Sequence, residues 1–594
     1  MSQHLPAVAP AVTAEIVGAL SPRLRKRLDA AITKIADRPV SRDGDTVRIT
    51  VDDETGLELH APAGVVTTAD AIRCGCLLAP GCLHRAAIAS AAPVADPLSD
   101  PSSEVATGQP SSDTGAGQPS PDEAAGPPRP PEAEESTATP EQRAAAGHLW
   151  AAGAALLDTG IEGAGAVLQS ELLRAAHTAK LAGLPRPAAA AVSVVTALRS
   201  ARSADPAHRL ADLTAAVLEL LGAAHRLPDA TGPELAALRG TARQTYVPDG
   251  SLRLYGLFTE PLITAGGYAG AVTWTAAADG RLYTVSDIAP GGPGRATAAA
   301  GRTVRLGDTA LTHRQLSHAG LALSGATVSP TGRLGAGAGV KAVQAAGAAW
   351  TDEPLAALWA PPAAEQVARA LDSRAPGADL LFLDVTILGP ARETGGDCLL
   401  ATCGDLTLRL TAAHDHPALA YRDNLRMLAA LPGTSLRVVG RLVPDSRPSL
   451  QLLAAAHPAD PARRVDLGLD RLQRADLPSA APPVAQVPTG READRAPLHL
   501  LRRRLEQAVA AGRPFLAVPG SLPADAGQLR RSALPTAAGL LAELQRTATR
   551  RARDPFGRLL PADPTDFARA WLGAALYTEA AETSLCAAAW QTER

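Results

Sequence analysis

Residues 72–88 read Ile-Arg-Cys-Gly-Cys-Leu-Leu-Ala-Pro-Gly-Cys-Leu-His-Arg-Ala-Ala-Ile and hold three of the six cysteines in this chain of 594 residues. The pattern is Cys-x-Cys, five residues, then Cys-x-His, and its members are Cys74, Cys76, Cys82 and His84. Thiolate and imidazole are the ligand types that zinc favours, usually four in a tetrahedron. The stretch therefore predicts a Zn²⁺ site.

The spacing of these residues suits such a site. A Cys-x-Cys pair on an extended chain places both sulfurs on one side, and the Ala-Pro-Gly segment then turns the backbone. Cys82 and His84 begin a predicted helix, whose N-terminal dipole favours thiolate. Arg73 and Arg85 flank the ligands and can offset the net charge of three thiolates and one zinc. A shell of four protein ligands leaves no position for water, so the predicted site is structural rather than catalytic.

Two other interpretations compete with zinc: a chance cluster and a redox pair. A disulfide that spans a single residue closes a strained ring, and six cysteines are too few for a disulfide scaffold. Zinc is the favoured interpretation.

The same four positions resemble the SWIM-type zinc finger, whose signature is Cys-x-Cys, a spacer and then Cys-x-His. The resemblance covers residues 45–90, with two predicted strands before the ligands and a helix after the histidine. It implies zinc binding, with DNA or protein as the contacted partner.

The rest of the chain predicts a multidomain α+β protein. The predicted order is a SWIM-type zinc-finger module (12–92), a disordered linker (93–140), a helical bundle (141–230), an α/β-mixed domain (245–355), an OB-like β-barrel (378–456), a second linker (458–497) and a helical C-terminal region (498–594).

The first linker is predicted from its composition. Residues 93–140 contain eleven prolines, nine acids, a single base and no aromatic residue. Such a segment cannot bury enough apolar surface to offset its chain entropy. We therefore expect the zinc-finger module to be tethered to the remainder rather than docked on it.

Hydrophobic periodicity predicts the elements of each domain. In the module it predicts a helix from Pro22, strands over 47–51 and 57–59, and a helix over 82–92. Residues 141–230 predict four helices.

The two central domains are predicted to be rich in strands. Residues 245–355 predict a hairpin across Asp279-Gly280, a helix over 312–323 and another over 340–348. Residues 378–456 predict three strands, a helix and two strands, which is the order of an OB-type barrel.

Four further residues, Cys398, Cys403, His414 and His416, are predicted to serve packing rather than a second metal site. The glycine-rich run at 335–341 lacks the Gly-Lys-Ser/Thr of a phosphate loop, so it predicts a turn. No catalytic motif is present, and no catalytic or organic-cofactor residue is predicted.

The balance of charged residues limits the kinds of partner that the chain can bind. The chain has 57 Lys+Arg against 60 Asp+Glu, and residues 1–95 hold ten of each. A module with balanced charge offers only Arg23–Arg27 to phosphates. No apolar window is long enough for a membrane span, and the N-terminus does not read as a signal peptide.

These observations favour a cytoplasmic, non-enzymatic zinc-binding adaptor that contacts a protein partner, by analogy with SWIM proteins of MoxR-type ATPase systems. One alternative is nucleic-acid binding through Arg23–Arg27 and the OB-like barrel. Another is an enzyme of unknown chemistry within 245–456.

Overall fold

The computed structural model describes most of the chain, and all structural statements below refer to that part. The described residues are 5–36, 38–52, 55–95, 137–241, 246–264, 268–337, 339–373, 375–393, 396–478, 496–518, 520, 522–550, 554–558, 560 and 563–591. They belong to two units, the first within 1–243 and 499–576 and the second within 244–498 and 577–594. Most of the predicted first linker, and residues 479–495 of the second, lie outside the described residues.

The first unit begins with a small α+β module. Its elements are β1 (Ala7–Val8), α1 (Pro10–Gly18), α2 (Pro22–Arg25), α3 (Leu28–Ala36), β2 (Val40–Asp43), β3 (Thr46–Thr50), β4 (Gly56–His60), β5 (Val65–Val66), β6 (Ile72–Cys74) and α4 (Leu83–Ala91). Strands β2, β3, β4 and β6 form an antiparallel sheet in that order, and β1 pairs with β5 in parallel.

Apolar and polar residues alternate along β3 and β4, so the apolar side chains lie on one buried face of this sheet. Val47, Ile49, Leu57 and Leu59 are almost fully buried and pack with residues of α1, α3 and α4. The two predicted strands and the helix at 82–92 are confirmed. The helix predicted from Pro22 divides into α2 and α3, and Ser21 Oγ accepts a hydrogen bond from Leu24 N at 3.4 Å at its start.

The four helices predicted in 141–230 are confirmed, and a fifth follows them. They are α5 (Pro140–Gly163), α6 (Ala166–Leu181), α7 (Pro185–Arg202), α8 (Leu210–Arg226) and α9 (Gly232–Arg239). A capping box at Thr139 and Gln142 starts α5. Leucine, valine and alanine fill the space between the helices, and the small alanines allow close approach.

The expectation that the module is tethered rather than docked is wrong. Asp29 Oδ1 accepts from Ala166 N at 3.1 Å and from Arg202 Nη2 at 3.2 Å. Arg199 Nη1 donates to Ala92 O at 2.6 Å, and Ala166 belongs to the apolar core of the module. The composition of 93–140 could not reveal this, because the docking groups lie on either side of that segment.

The second unit opens with a five-stranded antiparallel sheet and short helices. The elements are β7 (Val247–Ile263), β8 (Tyr268–Ala277), β9 (Leu282–Pro290), α10 (Pro293–Ala299), α11 (His313–Leu316), β10 (Gly320–Val328) and β11 (Lys341–Ala345), and the strand order is β11-β10-β7-β8-β9.

Two helix predictions in this region are wrong. The hairpin across Asp279-Gly280 is confirmed as β8 and β9. The helix expected over 312–323 ends at Leu316 and gives way to β10, which pairs with both β7 and β11. The helix expected over 340–348 is strand β11 instead. In both places strand pairing overrides the helical propensity of alanine.

The second sheet of this unit follows. Its elements are α12 (Ala363–Asp372), β12 (Leu380–Glu393), β13 (Gly396–Cys403), β14 (Leu406–Ala412), α13 (Tyr421–Leu428), β15 (Ser435–Val443), β16 (Ser449–His457) and β17 (Asp460–Asp466). The strand order is β14-β13-β12-β15-β16-β17, and β14 also pairs with β16 in parallel. The predicted order of three strands, a helix and two strands is confirmed. The segment expected to begin the second linker at 458 instead contains β17, which pairs with β16.

The C-terminal region is helical, as predicted. Its helices are α14 (His499–Ala511), α15 (Arg513–Leu516), α16 (Leu522–Arg531), α17 (Pro535–Thr549) and α18 (Thr565–Ala589). The mixed α+β class is thereby confirmed. Within the part of the chain that the structure describes, no helix has both the length and the apolar character needed to cross a bilayer.

The docking contact predicts a local effect of Asp29→Ala. Asp29 caps the start of α6, and losing a cap of this kind costs about 1 kcal/mol. We expect amide exchange in the first turn of α6 to accelerate about fivefold, as measured by hydrogen–deuterium exchange. Asp45→Ala is the matched control, because Asp45 lies in an exposed turn of the same module. Unchanged exchange in Asp29→Ala would show that the contact adds nothing to docking.

Candidate metal centre

The four predicted ligands lie on three consecutive pieces of backbone. Cys74 ends β6, where it is opposite Leu57 of β4. Gly75 N donates to Gly56 O at 3.0 Å, and this bond fixes the exit of the chain from the sheet. Cys82 is the N-cap residue of α4, and His84 lies in the first turn of that helix.

The structure brings these four side chains together. The sulfurs of Cys74, Cys76 and Cys82 and a ring nitrogen of His84 all lie within 4.8 Å of one another. Cys74 Sγ is 3.8 Å from His84 Nδ1. A tetrahedral zinc with Zn–S bonds of about 2.3 Å requires sulfurs about 3.8 Å apart, so the donors need only a small contraction to hold the ion. The donor set and its spacing fit zinc.

Burial raises the pKa values of the cysteine thiols, whereas hydrogen bonds from backbone amides lower them. Burial raises the pKa of Cys74 to about 12, and it also raises the pKa of Cys82. Partial burial acts the same way on Cys76, but the N–H groups of Leu78 and Ala79 stabilise its thiolate, and the net effect lowers its pKa. The cluster is therefore built to receive a cation, because three thiolates this close together need a positive charge among them.

Arg85 holds the backbone around the ligands through hydrogen bonds, a role that the sequence did not indicate. Its side chain is almost fully buried, with Nε donating to Ile72 O and Nη1 to Pro80 O, each at 2.6 Å. Nη2 donates to Ala69 O. One guanidinium thus joins β6, the ligand loop and α4. The run Ala-Ala-Ile-Ala after Arg85 was the available signal: a helix buried on most sides forces its arginine to find acceptors inside the module.

The loop between the second and third ligands carries the apolar tip of the module. Leu77 is fully exposed and Leu78 is 65% exposed. Ala79 N donates to Cys76 O at 3.1 Å, which closes the turn that presents them. The short spacer therefore leaves two adjacent leucines with no apolar neighbours to cover them.

The other cysteine and histidine candidates do not form a second metal cluster. Among the described residues, the group at 74–84 is the one set of His, Cys, Asp or Glu side chains that meets metal-binding distances. Cys398 packs with Ala391 and Leu400. His414 Nδ1 and His416 Nδ1 accept from backbone amides at 3.0 and 3.1 Å. Cys398 thus takes part in core packing, and the two histidines take part in turns.

Comparisons of this chain with protein-family models, with curated proteins and with solved structures match nothing. The likeness to SWIM-type fingers therefore stands on the four residues and their geometry alone.

The geometry predicts the metal content of the protein. Purified wild-type chain should carry about one zinc, and Cys76→Ser should lose it, because three remaining ligands bind far more weakly than four. Elemental analysis measures both. Cys403→Ser is the control, since Cys403 lies on β13 of the second unit and is not one of the four ligands, and it should retain the zinc. Wild-type protein that is free of metal after purification without chelator would refute the site.

Proposed function

We propose that this chain is a zinc-binding adaptor of the SWIM type, in which a structural zinc holds a recognition loop. The observation that carries the proposal is the convergence of Cys74, Cys76, Cys82 and His84 within 4.8 Å. These four ligands fill a tetrahedral shell and leave no site for substrate or water. The metal would link β6 to the start of α4 and hold the intervening loop in one conformation.

The partner we propose is a protein. Leu77 and Leu78 extend from the metal loop into solvent, and covering a leucine side chain contributes about 1.5–3 kcal/mol. Two adjacent exposed leucines on a loop held in one conformation are typical of a site that a protein partner covers. By analogy alone, a MoxR-type ATPase system is the proposed setting, in the cytoplasm and without catalysis by this chain.

Nucleic-acid binding is the second candidate, and the OB-like prediction is what favours it. Strands β12 to β16 pair in the order β12-β13-β14-β16-β15-β12, with α13 between β14 and β15. This arrangement supports an OB-like barrel. The two aromatic residues of 378–456, Phe382 and Tyr421, are buried and offer no ring to a base.

Three arginines of the OB-like segment are already engaged in contacts within the protein. Arg409 pairs with Glu393 at 2.9 Å, and Arg441 pairs with Glu260 at 2.9 Å. Arg437 pairs with Asp384 and lies over the ring of Trp359. In the module, Arg25 donates to the carbonyls of Leu20 and Gly18 at the end of α1. These contacts favour the protein partner over the nucleic acid.

The third candidate, an enzyme within 245–456, has one feature in its favour, an open groove on the second unit. Its lining contains no serine, threonine, cysteine or tyrosine that could act as a nucleophile. The groove is better suited to binding than to covalent catalysis.

The adaptor proposal predicts the effect of Leu77→Ser/Leu78→Ser. The double variant should keep its zinc, because neither side chain is a ligand, but it should bind the partner at least tenfold more weakly, given about 1.5–3 kcal/mol per buried leucine. Affinity capture with nuclease treatment and mass spectrometry, followed by titration of the captured partner, measures this. Leu181→Ser is the control, since Leu181 is an exposed leucine at the end of α6. Equal partner binding by wild type and the double variant would contradict the proposal.

The same proposal predicts weak DNA binding. Arg23, Lys26 and Arg27 are exposed at α2, so they can hold only a few phosphates. We expect duplex and single-stranded DNA to bind at the non-specific level, about 10⁻⁴ to 10⁻⁶ M at physiological salt. Arg23→Glu/Arg27→Glu should therefore change little, whereas reversal at Arg25 would also remove the cap of α1. Nanomolar binding that collapses in the double variant, measured with labelled DNA, would make nucleic acid the partner.

A further inference from the structure

An open groove of about 1280 Å³ lies on the second unit, whereas the metal centre belongs to the first. Its walls come from α11, from the segment after β11, and from β16, β17 and the chain that follows β17. The charged and imidazole side chains that line it are Arg314, His318, His457, Arg463, Arg464, Asp470, Arg471 and Asp476. The lining is rich in arginine, although the chain as a whole carries a net charge of −3.

Arg464 is held rigidly in this groove by neutral acceptors. Nη1 donates to Gly256 O at 3.0 Å, Nη2 to Ala348 O at 3.5 Å and Nε to His318 Nδ1 at 3.2 Å, which leaves one N–H on each of Nη1 and Nη2. The guanidinium lies 5.9 Å from the ring centre of Trp350. Within the described residues, no carboxylate forms an ion pair with it. Loss of hydration lowers the pKa of Arg464 to about 10, and the more distant Asp466 compensates only in part. Burying a cation that has no direct ion pair costs free energy, and a bound anion would reduce that cost.

His318 is uncharged and adds a donor. Because Nδ1 accepts from Arg464, the proton of the neutral ring is on Nε2. Loss of hydration lowers the pKa of His318 to about 4, and the neighbouring charges of Arg464, Arg314 and Arg463 lower it further against the opposing effect of Asp470. At neutral pH the ring is therefore uncharged, and it has one N–H that can donate to a bound anion.

The remaining charges of the lining leave an excess of positive charge. Arg314 pairs with Asp470, Arg471 pairs with Asp423 at 2.8 Å, and His457 Nε2 lies 3.5 Å from Asp476. Arg463 is exposed and has no ion pair in the described part of the chain. Among the described residues, Arg463 and Arg464, adjacent in β17, are thus the two arginines of the lining without a direct ion pair.

We propose that this groove binds a small ligand carrying two or more linked phosphate groups. Arginine forks match phosphate oxygens in bidentate geometry. The fork of Arg463, the remaining Nη1–H and Nη2–H of Arg464 and one imidazole N–H suit a compact, multiply charged group. The groove is far larger than a single phosphate requires. The carboxylates of Asp470 and Asp476 on its walls repel an extended acidic chain.

Calorimetric titration of the full chain tests this proposal at about 0.15 M salt, the physiological ionic strength. The probes are pyrophosphate, inorganic triphosphate and citrate, which carries comparable charge on carboxylates. We expect pyrophosphate and triphosphate to bind, and citrate to bind at least tenfold more weakly. Arg463→Gln should weaken triphosphate binding about tenfold, since it removes one charge-assisted contact from an exposed position where folding is not at stake.

Arg392→Gln is the matched control. It removes the same charge from an exposed hairpin end between β12 and β13, and it should leave the affinity unchanged. Zinc content should remain about one per chain in both variants, so failure here is distinguishable from failure of the metal site.

Three outcomes would overturn the proposal: no heat with either phosphate probe, equal affinity for citrate and triphosphate, or identical binding by Arg463→Gln and wild type. A fourth is tighter binding of a short single-stranded oligonucleotide than of triphosphate, lost in Arg463→Gln, since this would assign the groove to a nucleic-acid backbone.

Discussion

The convergence of three sulfurs and an imidazole within 4.8 Å is the constraint on which the N-terminal module depends. Thiolates at this separation repel one another, and burial already raises the pKa of Cys74 to about 12. A cation among them reverses both effects at once. Beyond the pairing of β6 with β4, the chain from β6 to α4 is held by the bond from Gly75 N to Gly56 O and by the bonds that Arg85 donates to three carbonyls. A bound metal would act with Arg85 to fix the loop that carries Leu77 and Leu78.

Sequence patterns predicted the elements well where the side-chain period was unambiguous. The alternation around Val47 and Ile49 gave the correct strands, and the leucine spacing in 141–230 gave the correct helices. Prediction failed at residues 340–348, where alanine is compatible with helix but Lys341–Ala345 pairs with β10. Such pairing is a long-range contact, and the hydrophobic periodicity of a short segment does not reveal which strand the segment will pair with.

The metal ligands were predictable because their chemistry is local: four residue types at fixed spacing specify the site before any fold is known. The groove was not predictable for the opposite reason. Arg463 and Arg464 fall in a segment whose proline, alanine and aspartate content indicated a linker, and it becomes a wall of the groove only because β17 pairs with β16. His318 and Arg464 are 146 positions apart in the chain. Docking of the module escaped prediction in the same way, since Asp29 and Arg202 are separated by 173 positions.

The arginines show why charge counts alone are a weak guide to partners in this chain. Nearly all its cations are arginine, and many of them donate to backbone carbonyls instead of facing solvent. Arg25 ends α1, Arg85 braces the metal loop, and Arg199 reaches Ala92 O from α7. A guanidinium has five donors in a fixed fork, so it can join several segments of backbone at once. The cations that bear on a partner are then those whose donors the fold leaves unused. At α2 these cations are scattered on a module of balanced charge. At β17 Arg463 keeps its donors beside Arg464, which has one N–H left on each of Nη1 and Nη2. A phosphate ligand is therefore better matched to the second unit, and an apolar protein surface to the first.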